Sequence, residues 1–160
     1  MKNFSVKYIV LMMLLLLVSC AVPPKETPES ILQQVKDSTG ILPGAIISVD
    51  GSVISYPDDN LFTSGAVLPW PGGMEVLDPL IELLLKNRKV LGAGVVRSSG
   101  HTAEYDQQLA EKRKELLDRI FTNRGLTSEQ FQLVVEVGEG APFEVTLQPI
   151  IPATSDGVKR

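Results

Sequence analysis

Beyond residue 20 the apolar positions of the chain fall into short periodic runs separated by turn residues. Ile31 to Lys36 predicts a short helix after Ser30, ended by Gly40. Ile46, Ile47 and Val49, then Asp50-Gly51, then Val53, Ile54 and Tyr56 form a hairpin signal of the Asp-Gly type. Residues 57–73 read as a loop, with Asp58-Asp59-Asn60, a Leu61-Phe62 pair, Gly65 and Pro69-Trp70-Pro71-Gly72-Gly73. Val76, Leu77, Leu80, Ile81, Leu84 and Leu85 recur at helical spacing and predict a helix over 74–86. Pro79 conflicts with an uninterrupted helix there: either Asp78 caps a helix whose first position is Pro79, or the helix begins earlier and kinks.

Residues 90–96 are apolar and interrupted by glycine, as a buried strand would be. A helix over 105–123 has the clearest pattern: Leu109, Leu116 and Ile120 mark one stripe, Leu117 and Phe121 widen it, charges fill the opposite face, and Gly125 ends it. Residues 131–137 and 143–147 alternate apolar and polar, the signature of half-buried strands. The order is two strands, helix, strand, helix, two strands, which predicts an α/β sandwich of two helices on one mixed sheet of about four to five strands.

The first residues follow another pattern. Lys2 and Lys7 precede an apolar run over 8–18 that closes on Leu17-Val18-Ser19-Cys20. The run is shorter than the ~20 residues a membrane span needs, so it reads as an export signal over 1–19. A leucine, a small residue and then cysteine at that point resembles the bacterial lipobox. The resemblance implies cleavage before Cys20 and a lipid, palmitate among its acyl chains, on that cysteine. Ala21, where Asp would imply retention at the inner membrane, points to the outer membrane with the domain in the periplasm. Residues 20–40 are then a lipidated, Pro-rich tether with a short helix, 41–148 the folded domain, and 149–160 a loose tail. At ~3 Å per residue the stretch 21–30 reaches only ~30 Å, which keeps the domain near the membrane.

Composition narrows the partners. Loss of residues 1–19 removes Lys2 and Lys7 and no acid, leaving thirteen basic against nineteen acidic residues, a net charge of −6. Such a chain has no basic footprint for nucleic acid. With its one Cys acylated and a single His, it offers no disulfide and little for a transition metal. No phosphate-binding glycine loop or nucleophile motif is present, and the carboxylates at Asp58, Asp59, Glu136 and Glu139 lack metal-ligand spacing. No cofactor is expected.

Arg113 is the most informative residue, four after Leu109 and three before Leu116, on or beside the apolar stripe. One reading is a snorkelling side chain, its stem on apolar surface and its head in water. The other is a guanidinium aimed at a ligand carboxylate, which its planar fork can hold bidentately. Asp106, two turns earlier, either lines the same pocket or favours the helix dipole. The segment Arg97-Ser98-Ser99-Gly100-His101-Thr102 reads as the loop into this helix, where ligands often sit in such sheets. No nucleophile motif surrounds His101, so it is not read as a catalytic base.

Leu61-Phe62-Thr63-Ser64-Gly65-Ala66, then Gly100-His101-Thr102, Tyr105-Asp106-Gln107-Gln108-Leu109-Ala110-Glu111-Lys112-Arg113 and Asn123-Arg124-Gly125-Leu126 together resemble the OmpA-like domain. That family binds peptidoglycan without cutting it. The resemblance implies that Arg113 holds a carboxylate of diaminopimelate in the stem peptide, with Leu109 in the family's helix signature. Ser98, His101, Thr102 and Asp106 are the other candidate contacts. The family places an Asp in the loop to hold the diaminopimelate ammonium group. Here that Asp falls on Ala103 if Gly100-His101-Thr102 is matched, or on Ser98 if the chain is aligned from Arg113 without a gap. Its loss removes a charge-assisted bond of ~1.5–3 kcal/mol, hence ~10–100-fold in affinity unless Asp106 or Glu104 substitutes. The expectation is a binding module and not an enzyme: an outer-membrane lipoprotein whose partner is the peptidoglycan stem peptide. The alternative is a degenerate OmpA-like domain serving as a structural subunit of an envelope-spanning assembly such as a secretion system, with other envelope proteins as partners.

Overall fold

The computed structural model describes residues 27–39 and 42–150 of the 160. The export signal, Cys20, residues 21–26 and 40 of the expected tether and the tail beyond Ile150 lie outside the described residues.

The first helix, α1 (Pro28–Thr39), opens on a reciprocal cap in which Ser30 N donates to Thr27 Oγ1 at 3.2 Å and Thr27 N to Ser30 Oγ at 3.0 Å. This satisfies amides that the first helical turn leaves unpaired, so the helix begins before the expected Ile31. Val35 is 1% exposed and joins the main core. The packed body therefore starts at residue 28, not at 41, and α1 is part of it rather than of a tether.

Strands β1 (Ile46–Ile47) and β2 (Val53–Tyr56) form the expected hairpin, with Ile47 opposite Ile54. The turn is not the two-residue Asp-Gly type, which needs positive φ at both positions. Ser48 N bonds Val53 O at 2.9 Å, so four residues connect the strands, and only Gly51 has positive φ, +76°. The Asp50 carboxylate organises the turn, accepting from Ser48 Oγ at 2.6 Å, Ser52 N at 3.1 Å and Ser52 Oγ at 2.8 Å.

A one-turn helix, α2 (Asp58–Leu61), interrupts the expected loop and sets Leu61 and Phe62 wholly inside. A 3-10 turn (Glu75–Leu77) runs directly into α3 (Asp78–Lys86). Pro79 is accommodated in the first α-helical turn, where a missing N–H costs nothing, and Leu77, not Asp78, takes the capping place.

The described sheet has five strands in the order β1-β2-β5-β3-β4, with β3 (Val90–Ser98), β4 (Phe131–Val137) and β5 (Phe143–Pro149). Only β3 and β4 are parallel, and α4 (Ala103–Asn123) is the crossover between them. Strand β3, between β5 and β4, runs two residues past the expected strand, so Arg97 and Ser98 are ladder residues opposite Glu136 and Val137, and the connection shrinks to 99–102. Three helices, α1, α3 and α4, cover the sheet where two were expected. The fold is the predicted α/β sandwich.

Gly92 and Gly94 face inward beneath α4, where a Cβ would collide with the side chains of Phe131 and Leu133. Their bareness lets those two residues lean from β4 across β3 into the core. The buried face of α4 comprises Asp106, Leu109, Ala110, Arg113, Leu117 and Phe121, with Leu116 and Ile120 at its margin. The stripe is thus centred on Leu117 and Phe121 rather than on Leu116 and Ile120, which puts Arg113 inside it. A Schellman motif closes α4: Gly125 N donates to Thr122 O and Leu126 N to Phe121 O, both at 3.0 Å, with Gly125 at φ +96°.

Candidate functional site

Arg113 does not snorkel. It is 2% exposed, and its guanidinium is held where α4 meets the end of β3 and the loop after Phe62. Nε donates to Ala66 O at 2.8 Å, Nη2 to Thr63 O at 3.0 Å and Nη1 to Arg97 O at 3.4 Å. The guanidinium carbon lies 4.5 Å from the centre of the Phe62 ring, a cation–π contact. Carbonyl dipoles and a ring face thus replace part of the water that a charged group surrenders on burial.

The loop that supplies two of these carbonyls is itself fixed. Leu61 and Phe62 are buried at its start, Trp70 N bonds Leu61 O at 3.1 Å, and Phe62 bridges to Pro69. At its tip Ala66 N closes a turn on Thr63 O at 3.1 Å around Gly65, which has φ +70°. The Arg113 head is therefore positioned by rigid parts on both sides.

Beside it opens a small cleft lined by Ser64, Gly65, Arg97, Ser98, Ser99, Arg113, Gly140 and Pro142. Ser98, and not Ala103, shares the cleft with Arg113; Ala103 is the exposed first residue of α4. The shortened connection requires this, because Ser98 ends β3 and only four residues separate it from the helix. Arg97 reaches the other sheet face, donating Nε and Nη2 to Glu136 Oε2 at 3.0 and 2.8 Å, with Glu144 Oε1 at 3.4 Å from Nη1.

Asp106 sits behind Ser98 and is 3% exposed. It accepts from Ser98 Oγ at 2.9 Å and from His101 N at 3.0 Å, and His101 Nδ1 lies 3.2 Å from the oxygen that Ser98 holds. Burial pushes its pKa up. The bonds from the His101 amide, the Ser98 hydroxyl and the His101 ring outweigh that and hold the carboxyl below its ordinary value. Asp106 is thus neither merely a dipole partner nor a wall of the cleft: it ties the 99–102 connection down. The His101 ring packs tilted against Tyr105 at 4.8 Å between ring centres, and Tyr105 OH donates to Gly65 O at 3.2 Å, joining this connection to the opposite wall.

Of the sequence candidates, Arg113 and Ser98 meet in the cleft, while Asp106 and His101 support it. Thr102 caps α4, its side chain accepting from Tyr105 N, and Leu109 is buried at 4% exposure beneath the site. Glu104 is exposed on the first turn of α4. Ser64, Ser99, Gly140 and Pro142 were not singled out. The 138–142 segment carries turn residues but no apolar period that would place it near β3. No group of three His, Cys, Asp or Glu able to hold a metal occurs among the described residues, and no helix there is long and apolar enough to cross a membrane.

No family model matches the chain, and no curated protein sequence does. Solved structures are similar to it. A MotB-like protein from Desulfovibrio vulgaris superposes with a TM-score of 0.59 at 16% identity, over 79% of this chain and 94% of that one. The cell wall anchor of the T6SS from Pseudomonas aeruginosa gives 0.53 at 16% identity, over 74% and 96%. The periplasmic domain of Helicobacter pylori MotB gives 0.51 at 10% identity, over 71% and 90%. At such identities the likeness is one of fold: the chain shares the α/β sandwich of these structures.

Proposed function

We propose that this protein is an outer-membrane lipoprotein whose periplasmic domain attaches non-covalently to peptidoglycan. The observation that carries the reading is Arg113, a buried guanidinium oriented by three carbonyls at the edge of a polar cleft. A carboxylate entering the cleft would meet a donor already aligned, so little side-chain entropy remains to be lost on binding. The T6SS cell wall anchor, described as such, shares this fold and supports the same partner here. Lipid on Cys20 would hold one end of the chain and the wall the other. Among the described residues no acid and base pair lines the cleft, and the reading is of a binding module.

The test is co-sedimentation of the purified chain with peptidoglycan sacculi beside an Arg113→Ala variant. Retention in the pellet that falls at least about tenfold on substitution is expected, the scale of losing a charged hydrogen bond. Removing Arg113 also takes a donor from part-buried carbonyls, at about 1–3 kcal/mol for any left unpaired, so the variant is compared under conditions where circular dichroism shows it folded. A folded wild-type chain that stays in the supernatant would sink the wall reading. It would favour a scaffold role in an envelope assembly, which the replacement of a cleft carboxylate by Ser98 already favours.

A further inference from the structure

Residues 60–74 contain no Asp, Glu, Lys, Arg or His, in a chain of which 21% is charged. Within this neutral stretch, Leu68-Pro69-Trp70-Pro71 leaves Leu68 70% and Trp70 49% exposed, and Trp70 is the chain's one tryptophan. Water on an indole is unfavourable, yet the loop holds it there firmly. Trp70 N donates to Leu61 O at 3.1 Å, Gly73 N donates to Trp70 O at 2.7 Å, and Phe62 bridges to Pro69. A proline on either side fixes two further backbone angles. The ring is thus carried on a backbone with little freedom left to lose when a ligand settles on it.

The same loop walls the cleft. Ser64 and Gly65 line it, and Leu61, hydrogen-bonded to Trp70, precedes Ser64 by three residues, at most about 11 Å of chain. A wall peptide seated in the cleft is covalently joined to a sugar strand, so at ~3.5 Å per residue a few peptide residues bring a sugar to Trp70. The neutrality of the loop selects among apolar partners. A bilayer surface presents charged phosphates, and segments that settle there carry Lys or Arg beside their Trp, which this stretch lacks. An N-acetylated sugar is neutral, and the C–H groups on one face of its ring carry the slight positive charge that the negative face of an indole attracts.

We infer that Trp70, with Leu68 beside it, is a stacking platform for a neutral N-acetylated sugar ring of the wall's glycan strand, next to the cleft read as holding the peptide. This rests on the wall-binding reading and adds the sugar to the groups the domain grips.

Tryptophan emission of the unaltered chain reports on this ring alone. Soluble glycan strands, released from sacculi by an amidase that strips the peptides, are titrated into it. The expected result is a saturable blue shift. Retention on intact sacculi should fall about five- to tenfold for Trp70→Ala and for Trp70→Leu, while Trp70→Tyr keeps most of it. The position is half exposed, so these variants should fold, which circular dichroism checks. Emission unmoved by glycan strands, or retention unmoved by Trp70→Ala while the wild type pellets with sacculi, would overturn the inference and leave wall binding standing. A shift on vesicles of phosphatidylethanolamine and phosphatidylglycerol as large as that on glycan would also overturn it and assign the loop to a lipid surface. Failure of the wild type to pellet with sacculi would overturn both readings.

Discussion

Arg113 and Asp50 are both charged, and each is held by neighbouring dipoles, Arg113 out of water and Asp50 at the surface. For Arg113 those dipoles come from residues 63, 66 and 97. The helix period alone put it on or beside the apolar stripe, but whether its head reached water depended on a loop about fifty positions away, which no local pattern reports. Asp50 is the opposite case, since its partners Ser48 and Ser52 stand beside it in sequence. The Ser48 hydroxyl first, then the Ser52 hydroxyl and amide, lower its pKa from 3.8 to about 2. A carboxyl whose folded pKa lies below its unfolded one adds stability that is complete above the unfolded value and fades as pH falls through the folded one. At neutral pH, Asp50→Ala should therefore melt below wild type. The gap should narrow from pH 3.8 towards about 2 and vanish below it, as thermal unfolding followed by circular dichroism would record. A gap that persists at the lowest pH would mean that the ionised carboxylate is not what holds the turn.

Helices and strands were found by their periods, and the differences lie where packing extends or redirects them. Strand β3 outruns its apolar stretch through Arg97 and Ser98 because β4 continues beside it to Val137 and supplies the ladder. On α4 the apolar stripe is wide enough to rotate, and Phe121 fixes the rotation by meeting Phe131 edge to face at 4.7 Å and Phe143 at 5.9 Å. That meeting needs bare glycines on β3. Replacing Gly94 with Ala would gain about 0.5–1 kcal/mol from reduced backbone freedom, but pushing Leu133 and Phe131 aside costs about 1–3 kcal/mol. Overpacking should win, giving a lower urea midpoint; an unchanged or higher midpoint would mean that β4 shifts without strain.

At the scale of the whole molecule, α1 decides where the domain begins. Composition near Pro28 reads as tether, yet Val35 is buried and α1 packs on β5 and α3. Val35→Ala should therefore cost about 1–3 kcal/mol in urea unfolding, the range for removing buried methyl groups; a helix lying in a free tether would give no change. The sequence by itself determined the kind and order of most elements, because alternation and helical spacing are recorded residue by residue along the chain. It also pointed to Arg113, because a charge among Leu109, Leu116 and Leu117 breaks a local pattern. Only the tertiary structure decided that α1 belongs to the core, that Ser98 rather than Ala103 stands by Arg113, and that Asp106 is turned away from the cleft. Each of those depends on which distant segments meet, and such meetings are set by the burial and hydrogen bonding of the whole chain at once.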